Sequence, residues 1–108
     1  MLKIVIAIAL IFAAQAQLLG GFTNHPELIS SQLTRDFVDL AVNDLATRQN
    51  IRAVPINVIS VATQLVNGLN YRIVFNARSP VDGQILTCTA KAYQSFSGEK
   101  ALSSVTCP

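Results

Sequence analysis

The chain has 108 residues, and eight Lys or Arg against six Asp or Glu give it a formal net charge of +2 at pH 7. This length suits one domain with a modest hydrophobic core. The basic residues are scattered along the chain, whereas a nucleic-acid-binding surface needs a basic run or stripe, so we expect no nucleic-acid partner.

The N-terminal residues are predicted to be a signal peptide. Lys3 supplies a positive charge, and an uninterrupted apolar run covers residues 4–14. Ala14-Gln15-Ala16 fits the pattern of small residues that precedes cleavage. The apolar run is too short for a membrane anchor, which takes about 20 residues. We therefore expect a signal peptide over 1–16, one secreted domain over 17–108, and no membrane partner.

Secretion also predicts the state of the cysteines. Cys88 and Cys107 are the only two, and an oxidising compartment favours a disulfide between them. A catalytic or metal-binding thiol is the alternative, but a nucleophilic cysteine needs a base and a metal needs further ligands. The only histidine is His25, which is more typical of a solvated position at a helix start. We expect no metal, no cofactor and no enzymatic activity.

The chain from residue 17 to residue 23 is predicted to be a free arm, because Gly20-Gly21 interrupts any regular element. A helix is predicted to begin directly after it. Asn24 is suited to cap the helix, Pro26 is tolerated in a first turn, and Glu27 lies three residues after Asn24, as in a capping box.

The helix is predicted to continue to about Arg48, because the apolar residues recur at helical spacing. Asp44 falls inside this stripe, and the sequence does not explain it. The stripe consists of Ile29, Leu33, Phe37, Val38, Leu40, Ala41 and Leu45.

The remainder of the chain predicts four strands. Residues 53–66 are rich in Val and Ile, with a break in alternation at Ile59-Ser60 that indicates a bulge. Asn67-Gly68 predicts a tight turn, because both residues tolerate a positive φ. In the second strand, 69–77, one face carries Tyr71, Ile73 and Phe75.

A second turn is predicted over 79–83, and strands over 84–94 and 101–107 flank Ser97-Gly98-Glu99. The element order is one long helix followed by four antiparallel strands. This is an α+β plan, in which the helix lies across the concave face of a twisted sheet and both apolar faces are buried.

Three motifs, in this order, resemble the secreted class of cystatins. Leu18-Leu19-Gly20-Gly21 resembles the N-terminal arm of the family, and Gln64-Leu65-Val66-Asn67-Gly68 fits its Q-x-V-x-G signature in full. Cys88 and Cys107 stand where the family has its C-terminal disulfide. The resemblance extends over essentially all of 17–108 and implies the cystatin fold, one long helix packed on a twisted antiparallel β-sheet.

The resemblance implies a function as well. Cystatins inhibit papain-like cysteine proteases, such as cathepsins L and B, reversibly and competitively, by filling the active-site cleft with the arm and two hairpin loops. The active form is expected to be a monomer, since domain swapping would bury the first loop. By this resemblance the protease-binding residues are Leu18, Leu19 and Gly20 of the arm, Gln64, Leu65, Val66, Asn67 and Gly68 of the first loop, and Phe96, Ser97 and Gly98 of the second.

Two departures separate this chain from the secreted class. It has no cysteines for the second disulfide of that class, and its second hairpin reads Gln94-Ser95-Phe96-Ser97-Gly98 in place of the usual Pro-Trp. The chain contains no Trp, and Phe96 is the nearest apolar substitute.

Each part of this site also has a purely structural interpretation: a passive N-terminal tail, an ordinary first turn, and a Phe96 side chain folded onto the sheet. The alternative function is a secreted protein of cystatin fold without inhibitory activity, acting as an interaction or structural factor. Inhibition of legumain is a further hypothesis: Asn50 follows the helix, although its neighbours do not reproduce the pattern of the family.

Overall fold

The computed structural model describes residues 21–108, so the predicted signal peptide and the arm residues Leu18, Leu19 and Gly20 lie outside the described residues. The strands pair with their sequence neighbours in one five-stranded antiparallel sheet, so their order in the sheet follows the chain. The helix packs on this sheet, which confirms the α+β prediction. The elements of residues 21–108 are β1 (Thr23–Asn24), a 3-10 helix (Pro26–Leu28), α1 (Gln32–Arg48), β2 (Val54–Val66), β3 (Gly68–Arg78), β4 (Ile85–Gln94) and β5 (Lys100–Thr106).

The helix begins later than the sequence predicts. Asn24 lies in β1, and the backbone N–H of His25 donates to the Val61 carbonyl at 2.8 Å, so this part of the chain is extended. Glu27 bonds the His25 ring at 2.8 Å, a contact that lowers the pKa of the Glu27 carboxyl, and does not close a capping box. The predicted start at Asn24 is therefore wrong, and so is the prediction that the free arm extends to Thr23.

Ser31 caps the helix. Its Oγ accepts from the backbone N–H of Thr34 at 3.2 Å, which satisfies one of the free donors of the first turn. The Thr34 side chain is fully buried, and its hydroxyl donates to the Leu28 carbonyl at 2.7 Å. This hydroxyl joins the 3-10 helix to the first turn of α1.

The predicted apolar stripe packs on the sheet in part. Phe37, Ala41 and Leu45 are fully buried, one turn apart, whereas Leu40 is exposed because it projects beside this row. Asp44 is accounted for by Arg48 one turn later, whose Nε lies 3.1 Å from its carboxylate.

The four predicted strands are confirmed, and each end lies within one residue of its predicted position. Ile59 is left out of the pairing between Val58–Phe75 and Ser60–Val74, which confirms the bulge. Tyr71, Ile73 and Phe75 are all buried under the helix, as predicted. The sheet gains β1 as a fifth strand, which pairs with β2 over two residues.

A disulfide joins Cys88 in β4 to Cys107 after β5, as the sequence predicts. Cys88 is fully buried in the core, opposite Phe75 of β3. The bond therefore links the end of the edge strand β5 to the neighbouring strand β4, through a cysteine in the core. None of the helices within 21–108 is long and apolar enough to cross a membrane.

Candidate functional site

Two hairpin turns lie next to each other at one end of the sheet. The end of the β2–β3 hairpin, residues 64–68 with the turn at Asn67, and the β4–β5 turn, residues 95–99, are neighbours because Leu69 pairs with Gln94. We call residues 64–68 and 95–99 the hairpin edge. Since β1 runs antiparallel to β2 and Thr23 pairs with Thr63, the described chain begins at this same end of the sheet.

The tip of the first hairpin carries exposed apolar side chains. Leu65 is 71% exposed, and Val66 is exposed as well. Isolated exposed apolar residues are common on protein surfaces, whereas adjacent ones are typical of binding sites, and Leu65 and Val66 lie next to the exposed Phe96 of the neighbouring turn. This exposure favours a binding role over the ordinary turn.

Gln64 and Asn67 at this turn are held by hydrogen bonds within the sheet. Gln64 Oε1 accepts from Asn70 Nδ2 at 3.0 Å across the hairpin. The carbonyl of Asn67 accepts from the hydroxyl of Tyr93 in β4. The first turn is therefore fixed both within its own hairpin and to the neighbouring strand. A contact of Gln64 with a partner protein stays a prediction.

Gly68 is required by close packing as well as by turn geometry. Its φ is 125°, in the region that side chains rarely adopt. A Cβ at this position would lie 2.5 Å from the Tyr93 hydroxyl and 2.6 Å from the Gln94 carbonyl oxygen. The first hairpin can approach β4 this closely only because residue 68 has no side chain.

The second turn presents Phe96 to solvent, with 73% of the side chain exposed. The interpretation in which Phe96 folds onto the sheet is therefore wrong. The turn is braced by backbone bonds from Gly98 N to Ser95 O and from Ser95 N to Glu99 O, both 2.9 Å, and by Ser95 Oγ, which lies 2.8 Å from Ser97 Oγ. Gly98 has a φ of 97°, which explains the glycine.

The fold of residues 21–108 matches that of a solved protein. The chain is similar to the salivary cystatin of the soft tick Ornithodoros moubata, with a TM-score of 0.65 and 20% identity over 82% of this chain and 97% of that chain. This chain has the cystatin fold. No family model matches its sequence, and no curated protein matches it either.

On this cystatin fold, sequence reasoning missed two residues next to the hairpin edge. Tyr93 bonds a turn 26 residues away, and its only sequence signal is an aromatic residue near a strand end. The ring of Phe22 lies under the guanidinium group of Arg72. The guanidinium carbon is 4.6 Å from the centroid of the ring, a cation–π contact. Arg72 alternates with the buried Tyr71 and Ile73, so Phe22 docks the start of the described chain on the sheet face away from the helix.

The hairpin edge is almost uncharged, since Glu99 is its only ionisable residue. The adjacent Lys100 is engaged elsewhere: its Nζ lies 3.2 Å from the Asp36 carboxylate on α1. Hydrogen bonds from Gln32 and then Lys100 lower the pKa of Asp36. The edge therefore offers apolar and neutral polar groups rather than an electrostatic patch.

No catalytic arrangement is present in the described part of the chain. His25 pairs with Glu27, both cysteines form the disulfide, and residues 21–108 hold no cluster of three or more metal-ligating side chains. Asn50, two residues after the end of α1, has a φ of 56°, a left-handed conformation that ends many helices and that asparagine adopts in place of the usual glycine. This accounts for Asn50 structurally, and a contact of Asn50 with legumain stays a prediction.

Proposed function

We propose that this chain is a reversible, competitive, tight-binding inhibitor of papain-like cysteine proteases, and thus a binding protein rather than an enzyme. The observation that supports this best is the hairpin edge, where Leu65 and Phe96 are exposed on two adjacent braced turns. The edge would enter the active-site cleft as a wedge. No covalent bond to the catalytic cysteine is needed.

The free energy of this binding would come from burial of apolar surface on a preformed shape. Covering a side chain such as Leu65 or Phe96 contributes roughly 1.5–3 kcal/mol before ordering costs. Those costs are small here, because hydrogen bonds already fix both turns in the free protein. A preformed apolar wedge is therefore sufficient to explain tight binding without a salt bridge.

The N-terminal arm belongs to the same proposal. Leu18 and Leu19 would fill the apolar pocket on the non-primed side, and Gly20 would turn the chain away before a peptide bond reaches the catalytic position. The described chain starts at the hairpin-edge end of the sheet, which suits this placement. The proposal includes cleavage of the signal peptide after Ala16, secretion, and a monomeric active form directed at enzymes like cathepsins L and B.

The second candidate is a secreted protein of the same fold that does not inhibit proteases. The replacement of Pro-Trp by the sequence around Phe96 favours it, because a single phenyl ring covers less surface than that pair. The exposure of Leu65 favours inhibition. The two candidates differ in whether the hairpin edge meets a protease active site.

A titration distinguishes them. The protein from Gln17 onward is added to papain, cathepsin B and cathepsin L, and residual activity is measured against substrate concentration. We expect competitive inhibition that reverses on dilution. If micromolar protein leaves all three enzymes fully active, the inhibitor proposal is wrong.

A matched pair of variants locates the binding surface. Leu65→Ser at the hairpin edge should raise the inhibition constant about tenfold, since burial of one Leu is worth roughly 1.5 kcal/mol or more. Val81→Ser is the control, because Val81 is 85% exposed in the β3–β4 turn at the opposite end of the sheet. Equal effects of the two substitutions would argue against the hairpin edge.

A further inference from the structure

Tyr93 lies where the two hairpins of the edge meet. It is the last residue but one of β4, and it pairs with Asn70 of β3, two residues after Gly68. Its hydroxyl donates to the carbonyl of Asn67 at the tip of that turn. One side chain of the second hairpin is thus bonded to the tip of the first.

The carbonyl of Asn67 has no partner in the strand ladder, because the pairing of β2 and β3 ends at Val66 and Gly68 on either side of it. A carbonyl without a ladder partner takes its hydrogen bond from water or from a side chain. The Tyr93 hydroxyl gives this carbonyl a fixed protein partner. The orientation of the Asn67 peptide therefore depends on Tyr93.

The ring of Tyr93 restricts the same turn sterically. A Cβ at residue 68 would lie 2.7 Å from Tyr93 Cε1, so the ring packs against the bare backbone of Gly68. The hydroxyl and the ring act at adjacent residues of one turn. Leu65 and Val66, the exposed apolar residues, directly precede them.

We propose that Tyr93 is a positioning residue for protease binding: it holds the tip of the first hairpin in its binding orientation and joins the two hairpins into one rigid wedge. This inference rests on the proposed function. Tyr93 acts by lowering the ordering cost of binding, since a turn that is already fixed loses little freedom in the complex.

The substitution Tyr93→Phe tests this, because it keeps the ring and removes the hydroxyl. We expect the inhibition constant for papain to rise about fivefold, as for loss of one neutral hydrogen bond. Backbone 15N order parameters of residues 65–68 in the free protein should fall from the rigid range, about 0.85, toward the flexible range, below about 0.6. Unchanged inhibition or unchanged order parameters would overturn the proposal.

Tyr71→Phe is the matched control. Its hydroxyl lies 3.3 Å from Gln94 Oε1, so this variant also removes a tyrosine hydroxyl bond, but the Tyr71 side chain is buried in the core. We expect a lower melting temperature with the inhibition constant and the order parameters of 65–68 unchanged. If both variants weaken inhibition equally, Tyr93 has no special role at the tip.

A double-mutant cycle separates positioning from direct contact. When Leu65→Ser has already reduced the contribution of the first tip, the Tyr93→Phe penalty should shrink to about twofold or less. An undiminished fivefold penalty would show that Tyr93 touches the protease itself, and would overturn the positioning role. If the unmodified protein does not inhibit papain at all, the proposed function fails and this inference fails with it, whereas inhibition unaffected by Tyr93→Phe overturns the positioning role alone.

Discussion

Gly68 combines two constraints that usually occur apart. Its φ of 125° disfavours any side chain, and the space around its α-carbon is already filled by Tyr93 and Gln94. Gly98, in the second turn, shares the positive φ, at 97°, but no atom lies within 4 Å of the position a Cβ would take. A side chain at residue 98 would therefore cause backbone strain alone, whereas a side chain at residue 68 would cause both backbone strain and a steric clash.

The comparison gives a prediction for stability. Gly98→Ala should lower the free energy of unfolding by about 1–2 kcal/mol, the cost of an alanine held at positive φ. Gly68→Ala should lower it by about 3 kcal/mol or more, because the Cβ must also push Tyr93 away. Urea unfolding of both variants checks this. Equal losses would mean that the contact between the hairpins contributes little to stability.

For single residues, the sequence predicts the features that depend on neighbouring positions in the chain. Asn67-Gly68 identifies a tight turn because the two residues that accept positive φ are adjacent. The bond from Tyr93 to Asn67 joins residues 26 positions apart, and no local pattern encodes it. The sequence also leaves the exposure of Phe96 open, because it depends on the path of the whole second turn. The part of the site that the sequence leaves open is the part made by contact between hairpins.

The start of α1 shows how one buried hydroxyl can organise an element. Thr34 donates to the Leu28 carbonyl at 2.7 Å, and its Oγ1 accepts from the Ser31 hydroxyl at 2.9 Å. Ser31 in turn caps the helix through the Thr34 backbone N–H. These bonds fix the angle at which the chain leaves the 3-10 helix and enters α1.

Thr34→Val should therefore destabilise the protein by about 1–2 kcal/mol, because the isosteric side chain leaves a buried hydrogen-bond network without its central hydroxyl. Thr47→Val is the matched control in the same helix. The Thr47 hydroxyl is exposed and donates to the Asn43 carbonyl at 2.9 Å, with the Asp44 carbonyl 3.5 Å away, so its loss should change the stability by about 0.5 kcal/mol or less. Thermal unfolding of both variants measures the difference, and similar melting temperatures would contradict it.

The helix start was wrong in the sequence prediction because two valid signals compete there. Asn24 and Glu27 have capping-box spacing, but β2 offers Asn24 and His25 backbone partners, and strand pairing prevails. A short strand of two residues has no periodicity of its own, so only its partner reveals it. Ser31, the residue that caps α1, is also a favoured cap type, and the sequence alone does not rank it above Asn24.

At the scale of the molecule, the fold follows from periodicity. The helical spacing up to Arg48 and the alternation in four strands specify one apolar face on each layer, and only packing those faces together buries both. This explains why the α+β architecture is predictable although identity to the tick cystatin is only 20%. The strand β1 is not predictable from periodicity, because it has only two residues, both exposed, and lies at the edge of the sheet.

The disulfide stabilises the edge of the sheet formed by β5, which is the edge opposite to β1. β5 has a strand partner on one side only. Two polar contacts join it to the helix side of the molecule: Lys100 Nζ lies 3.2 Å from the Asp36 carboxylate of α1, and Gln49 Nε2, directly after α1, donates to the Val105 carbonyl at 3.0 Å. The first of these is an exposed ion pair, which contributes little to stability. The bond from Cys88 in the core to Cys107 therefore adds a covalent attachment to the ladder that pairs this strand with β4.

Reduction with dithiothreitol should lower the free energy of unfolding by roughly 3 kcal/mol, because opening this loop returns chain entropy to the unfolded state. That is a large share of the free energy of unfolding of a typical protein, about 5–15 kcal/mol, yet the fold should persist at 25 °C. Amide hydrogen exchange should therefore accelerate most in Lys100–Thr106, and least in the central strand Gly68–Arg78. The variant with Cys88→Ala and Cys107→Ala is the control, since dithiothreitol should not change its stability. Uniform acceleration across the sheet would show that the disulfide stabilises the whole domain cooperatively rather than its C-terminal edge.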